Sequence, residues 1–409
     1  MKKLFIHAGF GKCGSSSIQK FLSHSEKFIC TNQEELIYAA CLADQRLLFG
    51  KDLTEWASRS DNGYRASVPF TSMKMPANDY FNAVGEQLLG LLQQHPVVLS
   101  QEGWGNQIKE WKKISFFSQH RIDVSFIFYI RPPVTWINSA WWQWGAWHDC
   151  NFNDWVSQQV ITNVKFSETL TAFKALNWVN KVHVRLLDGN LLEDFSNLIR
   201  LDRNTQQPQQ SISNKSLPNG ILRLYQQHRR LRPGPHNSGI DFTLEKYLKL
   251  DGKADWVLEK DQIQHIIDET RASNLALIEL IDDDCKADFL ADCRYWQASA
   301  FENLVCKPAN GIKPTYEELE QIALAGIDAV QILAAKQSKI DMKANLVFDN
   351  FSLWRDIALH VEKTNMELAL SLMKQACILN PQAPFVNKKV AFYKRELEKK
   401  HKGKLSTHN

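Results

Sequence analysis

The segment from Lys3 to Leu22 limits the possible folds more than any other part of the chain. An apolar run, Leu4-Phe5-Ile6, leads into His7-Ala8-Gly9-Phe10-Gly11-Lys12-Cys13-Gly14-Ser15-Ser16-Ser17, and beyond it Ile18, Phe21 and Leu22 recur at helical spacing. A short apolar run without alternation fits a strand buried on both faces, and the period that follows fits an amphipathic helix. Gly9, Gly11 and Gly14 let the turn between them be tight and let backbone N–H groups approach a ligand closely. A strand, a glycine-rich turn and a helix in that order make an anion site, because the free amides of the first helical turn and the helix dipole both favour negative charge. Lys12 adds a positive charge and the serines add hydroxyl donors.

Later runs extend the pattern. Pro96 to Leu99 ends at Ser100-Gln101-Glu102, Val124 to Ile130 ends at Arg131-Pro132-Pro133, and Val182 to Leu187 follows a helical stretch from about Ser167 to Asn180. Strands alternating with helices predict an α/β fold with a parallel central sheet flanked by helices, whose ligands sit at the carboxyl ends of the strands. Gln206 to Asn219 is polar, and His228 to Ser238 is a basic loop carrying Arg229, Arg230 and Arg232. Beyond Pro314 the periodicity is helical throughout, Asn365 to Pro381 is similar to half of a tetratricopeptide hairpin, and the tail after Lys399 is expected to fray. The expected division is therefore 1–310 for the α/β domain and 311–409 for an all-helical region.

Composition removes several classes. At 409 residues with 44% hydrophobic and 23% charged residues, the chain has an ordinary globular balance. A net charge of +4 demands neither nucleic acid nor an anionic membrane as partner. Eight cysteines are scattered without a C-x-x-C pair or histidines at ligand spacing, so they read as reduced thiols and no metal site is expected. The apolar run at the amino end is too short for a signal peptide, and no later stretch is long enough for a membrane span, so the expected location is cytoplasmic.

A nucleotide triphosphate loop requires its lysine after the last glycine and directly before Ser or Thr, where the hydroxyl binds magnesium. Here Lys12 precedes Gly14, which disfavours a P-loop kinase or other nucleotide-binding enzyme. The string from His7 to Gln19 instead resembles the 5′-phosphosulfate loop of the sulfotransferases that use 3′-phosphoadenosine-5′-phosphosulfate, in the style of bacterial carbohydrate and heparan-type members. The resemblance implies a P-loop-like fold. It gives cofactor-binding roles to Gly11, Lys12, Cys13, Gly14, Ser15, Ser16 and Ser17, with Lys12 also catalytic. Cys13 departs from the family, which has Thr or Ser there.

Arg131 at a strand end and Ser139 eight residues later are similar to the family's 3′-phosphate motif, since a phosphate there calls for an arginine and a hydroxyl. The family's Arg-Lys-Gly triplet is missing, and only the arginines of the 228–238 loop offer something similar. Transfer of a sulfuryl group to a hydroxyl or amine calls for a general base near Lys12. Glu102 holds the position resembling the catalytic glutamate of heparan-type enzymes, with His148 and His120 as rival bases. Five tryptophans between Trp136 and Trp147 are too many for one helix face, so some are expected to form a wall for an acceptor, a carbohydrate or other small hydroxylated molecule. Trp104, Trp142 and His148 are the expected acceptor contacts. The same tryptophans also fit plain core packing, and the helical region alone fits a non-catalytic scaffold.

Overall fold

The computed structural model describes residues 2–202, 217–250, 252–348, 351–363 and 365–405. Its central sheet contains β1 (Lys3–Ala8), β2 (Phe28–Ile29), β3 (Glu35–Cys41), β4 (Leu47–Phe49), β5 (Val97–Gln101), β6 (Asp123–Ile130) and β7 (Val179–Leu186). The order is β2-β3-β5-β1-β6-β7, with β4 beside β3. The pairings β3–β5, β5–β1, β1–β6 and β6–β7 are parallel, while β2 and β4 run antiparallel to β3. The chain is thus α/β, with a mostly parallel sheet flanked by helices and a helical carboxyl-terminal region.

The parallel strands are apolar without alternation because helices cover both faces. Leu4, Ile6, Val98, Leu99, Phe126 and Phe128 are all fully buried. The strands β2, β3 and β4 carry weaker signals. Glu35-Leu-Ile-Tyr-Ala-Ala-Cys41 mixes alanines with β-branched and aromatic residues, and it becomes a strand because β5 pairs with it. The helix expected from Ser167 to Asn180 is shorter, Phe166–Lys174, since β7 already begins at Val179.

The topology fixes where a ligand can sit. Chain order reverses around β1, whose neighbours β5 and β6 are joined by a connection that crosses it, and an open parallel sheet binds ligands in the crevice at such a reversal. Ala8 of β1 pairs with Gln101 of β5, so the loops leaving these two strands emerge side by side.

The chain divides into two compact units, Met1–Ala325 and Gly326–Asn409, with the helix Tyr316–Phe348 running through the division. The second unit holds the helices Phe351–Val361, Met366–Leu379 and Pro384–Leu405 around Ala358, Ala369, Met373, Ala376, Val386 and Tyr393. Its last helix continues past Lys399 to Leu405, and residues 406–409 of the expected frayed tail lie outside the described residues. Of the polar stretch 206–219, residues 206–216 also lie outside them. Among the described residues, no helix is long and apolar enough to cross a membrane.

Candidate functional site

Three buried polar side chains set the register of the glycine-rich loop. Gln19, on the helix Ser15–Leu22, donates through Nε2 to Ser100 Oγ of β5 (3.1 Å), and Ser100 Oγ lies 2.8 Å from His7 Nδ1 of β1. The Ser100 oxygen accepts from Gln19 and its hydroxyl pairs with His7 Nδ1, so one serine links both side chains. His7 Nε2 has no polar partner among the described residues, and the ring sits against Tyr129 and Phe195. Burial pushes the His7 imidazole down to about 3, so it is neutral over most of the acid range. The triad ties two strands and the helix together directly behind the loop.

The loop is shaped for a ligand in its concavity. Lys12 and Gly14 both have positive φ, 63° and 88°; the first is unusual for a residue with a side chain. At Gly9 a Cβ would collide with Ser15 Oγ, and at Gly14 it would lie 2.5 Å from Leu191 Cδ2. Ser17 and Ile18 bond to the Gly14 carbonyl (3.1 and 3.3 Å), which starts the helix and leaves the preceding amides for an anion. Ser15 is 2% exposed, and its hydroxyl has no partner among the described residues. A buried orphan hydroxyl at a helix N-terminus is what a bound phosphate oxygen satisfies, so the residues present fit the phosphate end of such a nucleotide.

Glu102 and Lys12 meet here. The Lys12 amide donates to Glu102 Oε1 (3.3 Å), and its ammonium reaches Gln143 Oε1 (3.5 Å). Burial pushes the Lys12 ammonium below its ordinary value; Glu102 opposes this, while Arg131 and Arg232 add to it. Cys13 is fully buried and its thiol is pushed up to about 12, so it offers backbone and packing rather than a thiolate. Tyr64 lies against Ser16, its hydroxyl raised chiefly by burial and further by Glu102.

Arg131, at the end of β6, donates through NH1 to the Lys12 carbonyl (3.1 Å) and through Nε to Thr135 Oγ1 (3.3 Å). Burial lowers its pKa, and Arg294 acts in the same direction from nearby, itself doubly bonded to Asp292 at 2.8 Å. Ser139 is half-buried on the helix Pro133–Gln143, two turns on from Arg131. Arg294 lies far along the chain and belongs to no local pattern, so the sequence gives no sign of it.

A cleft of about 330 Å³ opens beside this centre, with Gly11 and Glu102 in its wall. Three indoles line it: Trp136, Trp144 and Trp155. Trp136 Nε1 donates to the Gly11 carbonyl (2.6 Å), and a Cβ on Gly11 would come within 2.6 Å of the Trp144 ring, so the aromatic wall is built onto the phosphate loop itself. His148 is exposed and lines the cleft, as do His236 and the amides Asn106, Gln159 and Asn163.

Two expected acceptor contacts lie elsewhere. Trp104 is fully buried, stacked on Phe70 and set edge-on to Trp111, because the turn after Glu102 folds back into the core. Trp142 is 5% exposed; its Nε1 donates to the Asp255 carbonyl (2.8 Å) and the Arg223 guanidinium covers its ring. The wall is made instead by Trp136 and Trp144 from the same dense stretch, and by Trp155 from the next helix. His120 precedes β6, at the amino end of the strand and so across the sheet from Glu102. Of the three loop arginines, Arg230 is exposed. Arg232 is buried, donating to the Gln143 carbonyl (3.0 Å) and pairing with Asp241 (2.9 Å), and Arg229 donates to the Ala146 carbonyl (2.7 Å). These two hold the carboxyl end of the tryptophan helix in place.

No family model and no curated protein matches the chain. Among solved structures it is similar to a sulfotransferase from Alicyclobacillus acidocaldarius, at 12% identity over 69% of this chain and 98% of that one, with a TM-score of 0.33. So slight a likeness carries no assignment, and the residues of the site must stand for themselves.

Proposed function

We propose that the protein transfers a sulfuryl group from 3′-phosphoadenosine-5′-phosphosulfate to a hydroxyl or amine of an acceptor held in the tryptophan-lined cleft, the acceptor being a carbohydrate. The observation that carries this reading is the meeting of Lys12 and Glu102 in the loops that leave the neighbouring parallel strands β1 and β5, with Arg131 reaching the Lys12 carbonyl and an aromatic cleft opening at the same point.

The donor supplies an activated sulfuryl group on a phosphate leaving group. On this reading the amides of Gly14 to Ser16 and the orphan Ser15 hydroxyl hold the 5′-phosphate, while Arg131, Ser139 and nearby Arg294 take the 3′-phosphate. Lys12 places its charge where negative charge grows as the bond to the leaving group breaks. Glu102 spends one carboxylate oxygen on the Lys12 amide, and the other takes the proton from the acceptor. The backbone bond between them fixes base and cation in one geometry, which lowers the cost of aligning acceptor and donor.

Calorimetric titration with adenosine-3′,5′-bisphosphate, beside ATP with magnesium, tests the reading. Binding of the bisphosphate, weakened by Arg131→Ala, is expected. Binding of ATP alone would move the chain into the kinase class.

A further inference from the structure

The cleft carries a charge pattern that narrows its occupant. Its wall combines three indoles with uncharged amides, and Glu102 is the single carboxylate among its described lining residues. No lysine or arginine is among those described lining residues. Lys12 lies behind the wall, with its ammonium on Gln143. Two of the three arginines in the neighbouring loop are already engaged: Arg229 is bonded to the Ala146 carbonyl and lies 3.6 Å from Asp149, and Arg232 is buried against Asp241, while Arg230 is exposed and does not line the cleft.

The amides are set to meet hydroxyls. Asn163 donates through Nδ2 to Gln159 Oε1 (2.6 Å). That bond uses one donor and one acceptor and leaves the Asn163 oxygen and the Gln159 nitrogen, a complementary pair suited to a hydroxyl that both gives and accepts. Trp144 is half-buried and presents ring surface, against which the C–H face of a pyranose packs. At about 330 Å³ the cleft is at the small end of ligand sites, which run from roughly 300 to 1,000 Å³. It suits one or two sugar rings rather than a long chain.

We infer that the acceptor is an uncharged mono- or disaccharide unit, and that the cleft rejects sugars carrying carboxylates or sulfates. An anionic sugar would bring a second negative charge towards Glu102 in a partly dry site where Lys12, the nearest described cation, is already opposed by Glu102 and bonded to Gln143, and like charges at a few ångströms there repel strongly. This rests on the proposed transfer reaction for its meaning, but not for its measurement.

Binding is read first on the full-length protein without donor, through quenching of tryptophan fluorescence by cellobiose, N,N′-diacetylchitobiose, an unsulfated glucuronate-containing disaccharide and p-nitrophenol. The neutral disaccharides are expected to bind at least about tenfold more tightly than the uronate. Trp155→Ala should weaken them, and Gln159→Lys should narrow the gap by restoring a cation. Tighter binding of the uronate or of the phenol, or failure of all four to bind, overturns the inference. Sulfation by labelled donor is measured separately on the same panel. If neutral sugars bind but receive no label, the transfer reaction fails while the assignment of the cleft stands. If the uronate is labelled preferentially, the reaction stands and the assignment fails.

Discussion

At the scale of single residues, Lys12 and Glu102 make separable predictions. Removing the Lys12 ammonium takes away charge stabilisation aimed at the leaving phosphate, so Lys12→Ala should reduce turnover by about 100-fold or more. Glu102→Gln keeps the shape and the bond from the Lys12 amide but cannot take a proton. It should lower kcat by roughly 100-fold or more while leaving the bisphosphate dissociation constant within a few-fold, checked by calorimetry and steady-state rates side by side. Asp241 gives a prediction of a different kind. Burial pushes its carboxyl up to about 6, against the pull of Arg232 and Lys12. The folded chain therefore holds this proton between about pH 4 and 6 where the unfolded chain has released it, so this contribution to stability is full at low pH and is lost as pH rises through 6. His7 works the other way: its proton is taken up by the unfolded chain from about pH 6.5 downward and by the folded chain only near 3, so its contribution is lost on acidification. In wild type the two slopes oppose between pH 4 and 6. Asp241→Asn removes one of them, so the unfolding free energy from urea titrations should fall more steeply on acidification, by up to about 1.4 kcal/mol per pH unit. Parallel curves for the two proteins would show that Asp241 is ionised in the fold. Much at this scale was legible: Lys12, Glu102 and Arg131 each stand at the end of an apolar run, where a parallel sheet brings strand ends together. Trp104 and Trp142 were misread because the sequence shows how many indoles are present but not which of them a later segment will cover. Asp255, more than a hundred residues on, is what takes Trp142 out of the cleft.

At the scale of elements, the tryptophan helix Pro133–Gln143 is anchored from outside itself. Asp255 accepts from Asn138 and Trp142 through its carbonyl and from Arg223 through its carboxylate (2.7 Å), and Arg223 is fully buried. Arg223→Ala would leave that carboxylate without its partner in a mostly dry setting and uncover the Trp142 ring, so it should destabilise the fold by roughly 3 kcal/mol or more in denaturant titrations. Replacement by Lys should recover only part of this, since a point charge cannot reproduce the two-pronged contact. The phosphate loop depends on its neighbours in the same way. Ser100→Ala leaves Gln19 and His7 facing each other without the hydroxyl between them, and a loss of about 1–3 kcal/mol is expected, with nucleotide affinity falling as the loop loses its register. The elements β1, β5, β6 and β7 could be read from their apolar runs. The edge strands β2, β3 and β4 could not, because strands this short or this rich in alanine are decided by their partners rather than by their own pattern.

At the scale of the whole chain, every residue assigned to the site lies within Met1–Ala325, which has its own continuous core from Leu4 to Phe301. A chain ending after residue 325 is therefore expected to fold and to bind the bisphosphate as the full chain does. Loss of binding on truncation would give the helices of the second unit a part in the site that their residues do not suggest. The helix Pro133–Gln143 bears on more than catalysis. It starts beside Arg131 and delivers Trp136 and Trp144 to the cleft, with Trp136 bonded to the phosphate loop. One rigid rod of about 16 Å thus serves as the back of both halves of the site. A change there disturbs donor and acceptor together, whereas the lining residues Gln159, Asn163, Pro235 and His236 come from other segments of the chain; Trp155 also lines the cleft but packs edge-on against Trp141 of the helix. Divergence in what the protein modifies, whether by natural drift or in the laboratory, has these positions to work on, and a search for altered acceptor range should begin with libraries at Gln159, Asn163, Pro235 and His236.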